Sequence, residues 1–340
     1  MMRVLVTGAA GFIGYHLSEL LLAEGHEVIG IDSHNDYYDP GLKAAREARL
    51  KANPAYQGVQ DKIEQPGLLM DLFVAHEPEA VVHLAAQAGV RYSIENPRAY
   101  VEANLLGSFE LLEAARTHKP RHLLMASTSS VYGANTDMPY IETDKVDMQM
   151  SFYAATKKSN EAMAHSYAHL FDIPTTMFRF FTVYGPWGRP DMAPYLFTSA
   201  IFEGRPIKVF NHGEMRRDFT YVTDLVRAIR LLIDAAPIRP ATPDQIEADD
   251  SLSPVAPWRA INIGNGESVQ LLDFIAAIEA ASGREAIKNM MPIQPGDVPA
   301  TWADTALLRR LTGYAPQTSV RDGATAYVDW FRDYYKIKEV

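Results

Sequence analysis

Apolar positions along the first 180 residues fall into two alternating periods. Residues 4–7 form a short β-rich run, and after a group of glycines Phe12, Ile13, Leu17, Leu20 and Leu21 recur at helical spacing. This predicts a helix over Phe12–Ala23 with Gly25 as its C-cap. Residues 27–31, 80–84, 121–126 and 175–181 read as further strands, the last two each preceded by a helical segment. Near-continuous apolar strands alternating with helices predict a parallel sheet covered on both faces.

The later half is more mixed. Residues 205–210 and 260–263 read as short strands, and residues 224–234 and Leu271–Ser282 as helices. Residues 237–259 are rich in Pro and Asp and read as a long surface loop, because patterned sequence resumes on both sides.

Composition narrows the classes. The chain has 340 residues, enough for two domains, and 47% are hydrophobic, ample for a packed core. Its net charge of −10 disfavours nucleic acid and anionic membrane as partners. It has no cysteine, which removes disulfides, thiolate metal sites and thiol nucleophiles together. The N-terminus lacks a signal-peptide core and no run of 18 apolar residues occurs, so a cytoplasmic globular protein is expected.

Thr7-Gly8-Ala9-Ala10-Gly11-Phe12-Ile13-Gly14 lies between the first strand and the first helix. Gly8 permits the tight turn, Gly11 lets backbone approach a pyrophosphate, and Gly14 lets the helix pack close to the strand. The helix N-terminus would then hold the phosphates. Asp32, 18 residues after Gly14, ends the second strand where an acid holds ribose hydroxyls, and Ser33-His34-Asn35 rather than Arg follows. That favours NAD over NADP.

Tyr153 and Lys157 stand four apart at the start of a helix that runs to about Phe171, and so share a face. An ammonium beside the phenol favours phenolate and lowers its pKa from about 10. Such a tyrosine can take a sugar hydroxyl proton near neutral pH. Thr128, in the run Ser127-Thr128-Ser129-Ser130 that ends the preceding strand, is placed to hydrogen-bond a substrate oxygen.

These features, with Leu84-Ala85-Ala86-Gln87-Ala88-Gly89, resemble the extended short-chain dehydrogenase/reductase family. The runs Asp36-Tyr37-Tyr38-Asp39, Ala88-Gly89-Val90-Arg91-Tyr92-Ser93 and Thr182-Val183-Tyr184-Gly185-Pro186-Trp187-Gly188-Arg189-Pro190-Asp191-Met192 resemble its UDP-glucuronate 4-epimerases. So do Arg217-Asp218-Phe219-Thr220-Tyr221 and Pro295-Gly296-Asp297-Val298-Pro299-Ala300, and the likeness spans roughly residues 3–335.

The resemblance implies a Rossmann-type, doubly wound α/β domain over residues 1–180, with later segments returning to it, and a smaller mixed α/β UDP-sugar domain over 181–340. It implies NAD as cofactor, held by Gly8, Gly11, Phe12, Ile13, Gly14, Asp32, Asn35, Lys43, Ile63, Leu84, Ala85, Ala86, Gln87, Asn104, Tyr153 and Lys157. Lys62-Ile63 aligns with the pair that faces adenine, with Asp61 one place early. The implied reaction interconverts UDP-glucuronate and UDP-galacturonate through a 4-keto sugar, with Tyr153, Lys157 and Thr128 as catalytic residues.

Within the family, 4,6-dehydratases carry Asp-Glu just after the threonine, and UDP-glucuronate decarboxylases carry Glu at the position of Ser130. Hydroxyls stand here instead, so Thr128, Ser129, Ser130 and Thr182 are read as a cradle for the sugar carboxylate. Arg189 and Arg217 are expected on the diphosphate and uridine, Asp297 on the uridine ribose, and Arg91 and Phe210 elsewhere on the substrate. Gln294 stands where glucose-type epimerases have an arginine, a loss assigned to Arg189 to make good. A UDP-glucose 4-epimerase is the nearest alternative. A catalytically silent NAD sensor is a different class, and the presence of both Tyr153 and Lys157 argues against it. A homodimer through helices at residues 97–118 and 153–171 is implied. His165 and His169 have the spacing of a two-His metal site without a third ligand and are read as structural, so no metal is expected. Met148, Met150, Met163, Met177 and Met192 are read as core or pocket filler.

Overall fold

The computed structural model describes residues 1–294 and 298–338. Its centre is a seven-stranded sheet of β1 (Arg3–Thr7), β2 (Glu27–Asp32), β3 (Tyr56–Gln60), β4 (Ala80–His83), β5 (His122–Thr128), β6 (Thr175–Phe180) and β7 (Trp258–Ile263). Spatial order is β7-β6-β5-β4-β1-β2-β3, and every pairing is parallel. The chain winds outward from β1 to β3, then returns to β4 on the other side of β1. That reversal opens a crevice at the carboxyl ends of β1 and β4.

Alternation along β1 divides the core into two layers. Val4 and Val6 join one buried cluster, with α1 (Phe12–Ala23) and a helix at Val222–Ile233, and Leu5 points into the other. The second layer is built by helices at Leu68–His76, Gly107–Thr117 and α2 (Phe152–Phe171). A third cluster, including Phe197, Ile201, Phe274, Ile278, Tyr327 and Phe331, forms a smaller unit with three short sheets beside it. Segments from beyond residue 181 lie in the large unit: Val222–Ile233 packs on α1, Trp258–Ile263 is the sheet's edge strand, and the helix Ala306–Thr312 adds Leu307 and Leu308 to the same cluster.

The doubly wound parallel sheet is the expected architecture, and the bounds of Phe12–Ala23 and Leu271–Ser282 are those read from the sequence. Other readings change. The strand expected over 205–210 is only Ile207–Val209, after which Phe210 opens a 3-10 turn. The helix expected over 97–118 is α-helical at Pro97–Tyr100 and Gly107–Thr117, with a π-helical stretch at Val101–Leu106 between them. Met148 and Met150 are exposed rather than core, being 64% and 50% accessible. His165 and His169 bond Ser253 Oγ at 2.8 Å and the Val255 carbonyl at 2.7 Å, pinning the Pro- and Asp-rich loop to α2.

Candidate active site

A cleft of about 450 Å³ occupies the crevice at the sheet's switch point. Three chain turns make its floor. Gly8 has φ +72°, and a Cβ there would lie 2.8 Å from the Ala85 nitrogen. A Cβ on Gly11 would lie 2.9 Å from the Gly8 carbonyl, so the turn can close only on glycine. No side chain among the described residues caps α1, and its first turn holds no acid, which leaves its N-terminus open to an anion.

Asp32, at the end of β2, is nearly buried and accepts from the His34 amide at 2.9 Å and the Lys43 ammonium at 3.3 Å. Lys43 also donates to Asn35 at 3.1 Å. Ile63, with Asp61 and Lys62, lines the cleft, as do Leu84, Ala85, Ala86 and Gln87. Asn104 stands one layer back. Its amide accepts from the Gln87 nitrogen at 2.8 Å and donates to the Gln87 carbonyl at 3.1 Å and to Thr156 at 3.0 Å. It therefore shapes the loop that lines the cleft and does not line it.

Glycine turn, open helix end and buried acid fit a dinucleotide: backbone donors for two phosphates and a carboxylate for ribose. Gly8, Gly11, Phe12, Ile13, Gly14, Asp32, Asn35 and Lys43 all line this part of the cleft.

At the other end stand Thr128, Tyr153, Lys157 and Arg189. Ser151 caps α2 by accepting from the Ala154 amide, which starts the helix just before Tyr153. Lys157, 2% exposed, donates to the Ala126 carbonyl at 3.0 Å, and burial pulls its ammonium down to about 8. The Tyr153 phenol is raised above its ordinary value, chiefly by burial, while the Thr128 hydroxyl and the Arg189 charge pull the other way. The expected lowering of this phenol counts a nicotinamide cation as well as Lys157; among the protein's own groups, burial outweighs neighbouring charge.

Arg189 forks onto the Asp191 carboxylate, and the Tyr37 hydroxyl donates to the same carboxylate at 3.1 Å. Arg189 is thus committed to an acid two residues on, which sequence reading did not foresee. It lines the cleft together with Tyr153, whose phenol feels its charge. Tyr37 and Asp191 tie the loop after β2 to the loop after Gly185, across the cleft. Arg46, fully buried, ties the same loops from beneath by donating to the Ala10 carbonyl at 3.1 Å, to the Tyr38 hydroxyl at 3.0 Å and to the Trp187 carbonyl.

Of the remaining expected substrate residues, Ser129, Ser130, Thr182, Arg91, Phe210 and Arg217 lie outside the cleft wall. Ser129 and Ser130 form the 3-10 turn after β5, half-buried, with the Ser130 amide donating to Thr128 Oγ1 at 3.2 Å. Thr182 begins the strand Thr182–Tyr184, its amide bonded to the Asp218 carbonyl at 3.0 Å. The Arg91 guanidinium sits 5.0 Å over the Phe210 ring, joining two residues 119 apart in sequence. Arg217 donates to the carbonyls of Arg216, Val298 and Pro299. Asp297 lies outside the described residues.

Comparison with known proteins agrees with this geometry. Residues 4–241 match the model of the NAD dependent epimerase/dehydratase family. A probable UDP-glucuronate 4-epimerase of Rhizobium meliloti is 51% identical over 335 residues, covering 98% of each chain. UDP-glucuronate 4-epimerase 4 of Arabidopsis thaliana is 43% identical over 98% of this chain and 76% of its own. The solved UDP-glucuronic acid 4-epimerase of Bacillus cereus, in complex with UDP-glucuronic acid and NAD, superposes with a TM-score of 0.86 at 34% identity, covering 98% of this chain and all of that one. Sequence, fold and cleft together place the chain in the NAD dependent epimerase/dehydratase family.

Proposed function

We propose that this protein interconverts UDP-glucuronate and UDP-galacturonate by inverting C4 of the sugar. The reading rests on the full-length likeness to UDP-glucuronate 4-epimerases and on one feature of the turn beside the cleft. Where β5 ends, Thr128 is followed by Ser129 and Ser130, hydroxyls that can bond a carboxylate rather than acids that would repel one.

NAD, when held by the cleft residues, would supply hydride transfer to and from the sugar carbon. The chain does the rest. Tyr153 takes the proton from the C4 hydroxyl and returns it once the 4-keto sugar has turned its other face. Thr128 shares the hydrogen bond to that oxygen. Lys157 supplies positive charge beneath the tyrosine and donors toward a ribose. Asp32 holds the adenosine ribose, and Gly8, Gly11 and Gly14 let the phosphates approach α1. Ser129, Ser130 and Thr182 belong to the same proposal as partners of the carboxylate, reached when the sugar extends beyond the cofactor cleft. Arg189, Arg217 and Asp297 are assigned to the nucleotide and its diphosphate, and Arg91 and Phe210 to the substrate without a narrower place.

The 4-keto form of a glucuronate is a β-keto acid, which loses CO₂ when its carboxyl bond stands perpendicular to the ketone plane. Holding the carboxylate solvated by hydroxyls opposes that loss. The reading includes a homodimer, supported by exposed apolar side chains on the two helices involved: Val101, Leu106 and Phe109 on one, Phe152 and Leu170 on the other. It also includes the cytoplasm, supported by the acidic, cysteine-free composition. No helix among the described residues is long and apolar enough to cross a membrane.

The deciding experiment incubates purified protein with NAD and UDP-glucuronate, and in parallel with UDP-glucose, and separates the nucleotide sugars. UDP-galacturonate is expected to dominate. Mainly a CO₂-loss product, or turnover confined to UDP-glucose, overturns the assignment.

A further inference from the structure

A buried ion pair that the proposed reaction does not use lies beneath the end of β5. Arg179 on β6 and Glu161 on α2 are 3% and 1% exposed at their side chains and meet in a fork, with Nε to Oε1 at 3.0 Å and the second nitrogen to Oε2 at 3.0 Å. Glu161 stands on the face of α2 that carries Tyr153 and Lys157, one turn further along.

Both members of the pair also reach the turn that follows β5. Ser127 Oγ donates to Glu161 Oε1 at 2.7 Å. Arg179 donates to the Tyr132 hydroxyl at 3.1 Å and to the Glu142 carbonyl at 3.0 Å, and its guanidinium lies 4.9 Å over the Tyr132 ring. The Tyr132 hydroxyl in turn donates to Asn262 on β7 at 2.7 Å. Residue 127 and residue 132 bracket Thr128, Ser129 and Ser130. Within that bracket Thr128 and Ser130 bond each other at 3.2 and 3.3 Å, the Ser130 carbonyl accepts from the Gly133 amide at 3.1 Å, the Val131 carbonyl accepts from Gln149 at 3.2 Å, and the Thr128 hydroxyl meets Tyr153. The segment that carries the three hydroxyls is thus held at both ends by a pair anchored on two neighbouring elements.

An ion pair this deep costs desolvation that its Coulomb energy barely returns, so stability alone is a weak reason for it. It does deliver rigid bidentate geometry, with the acid's charge cancelled.

We propose that Glu161 and Arg179 are positioning residues that fix the Thr128–Ser130 turn and thereby set how the 4-keto sugar divides between epimerisation and loss of CO₂. The inference rests on the epimerase reading given above. In the losing branch the C5–C6 bond breaks, its electron pair forms the C4–C5 enolate, CO₂ leaves and a proton adds at C5. The two electrons taken from C4 stay with the cofactor.

The test compares the NAD-loaded enzyme with Glu161→Gln and Tyr132→Phe on UDP-glucuronate, with products resolved by mass spectrometry. Glu161→Gln keeps the shape but leaves Arg179 uncompensated. Tyr132→Phe keeps the ring and removes the hydroxyl that joins the turn to Arg179 and to Asn262. Each is expected to retain NAD and to raise the ratio of CO₂-loss product to UDP-galacturonate by about tenfold, the scale of one lost hydrogen bond to a charged group. Ile229→Val, a mild core loosening on the helix at Val222–Ile233, is expected to keep the wild-type ratio. If Glu161→Gln does not fold, Tyr132→Phe decides. Folded variants that partition like wild type overturn the proposal, as does an equal shift in Ile229→Val. A wild-type enzyme that forms no UDP-galacturonate fails the epimerase reading instead, and the two failures are told apart by that control.

Discussion

The Lys43 ammonium lies 3.3 Å from Oδ1 of Asp32 and 3.1 Å from Oδ1 of Asn35, at the rim where the adenosine ribose would rest. Asp32 repels a 2′-phosphate, yet the cation beside it would welcome one. Replacing the acid should release that cation. In Asp32→Ser, affinity for NAD is expected to fall about tenfold or more, the scale of hydrogen bonds to a charged group, while NADP binding rises. Cofactor titrations of both proteins check this, and a variant that keeps the wild-type preference for NAD removes Asp32 from the ribose site.

Tyr153→Phe keeps the ring in its place beside Tyr100, 6.0 Å between centroids, and removes only the hydroxyl. NAD should still bind, while epimerisation falls by at least about a hundredfold. Wild-type turnover in the variant would sink the assignment of Tyr153 as the base.

Burial lowers the Lys157 ammonium to about 8, against 10.5 for an exposed lysine. Below about pH 8 both folded and unfolded chains carry the proton, and the cost of burying it is constant. Above it the folded chain gives up the proton first, so stability rises with pH until the unfolded lysine titrates. Compared with Lys157→Met, which has nothing to titrate, the cofactor-free wild type should gain about 2 kcal/mol between pH 8 and 9.5. Urea unfolding of both proteins at the two pH values measures it. A constant difference between them would mean the ammonium is not desolvated.

Ser129→Ala with Ser130→Ala removes two hydroxyls from the turn after β5. Slower epimerisation and a larger share of keto-pentose are expected, since two hydrogen bonds to an anion contribute about 3 kcal/mol or more together. Unchanged rate and product ratio would leave the epimerase standing and take both serines out of the mechanism.

Leu106 and Phe109 are 49% and 45% accessible on the helical stretch proposed for the dimer. Leu106→Glu with Phe109→Glu should shift the protein to monomer in sedimentation, because burying either side chain is worth about 1.5–3 kcal/mol and burying a glutamate opposes it. A monomeric wild type contradicts the dimer outright.

The parts of this molecule that the sequence revealed are those whose cause is local. The glycines of the first turn and the periodicity of Phe12–Ala23 depend on neighbours a few residues away, and the structure reproduces them. β3 passed unread because it is an edge strand, Tyr-Gln-Gly-Val-Gln, with little apolar contrast between its faces. The helix Pro40–Lys51 was hidden for the opposite reason: it buries Lys43, Arg46 and Glu47 along with Leu42 and Leu50, so its inner face looks polar. Arg46 and the Tyr37–Asp191 contact escaped because the partners are distant in sequence, and the Arg91–Phe210 contact is equally invisible to spacing. The pull of burial on the Tyr153 phenol was hidden too, because enclosure is set by the whole fold and not by the register of Lys157.

β6 has β5 on one side and β7 on the other, but β7 is synthesised only after the whole stretch from residue 181 to 257. On a ribosome adding about 5–20 residues per second, β6 therefore waits roughly 4–16 s with one row of backbone donors and acceptors unmatched. During that interval Thr-Thr-Met-Phe-Arg-Phe is a bare, largely apolar template on which another nascent chain can add a strand. Expression trouble in this protein is therefore expected to track how fast residues 181–263 emerge, and a fragment ended near residue 180 carries that bare edge permanently.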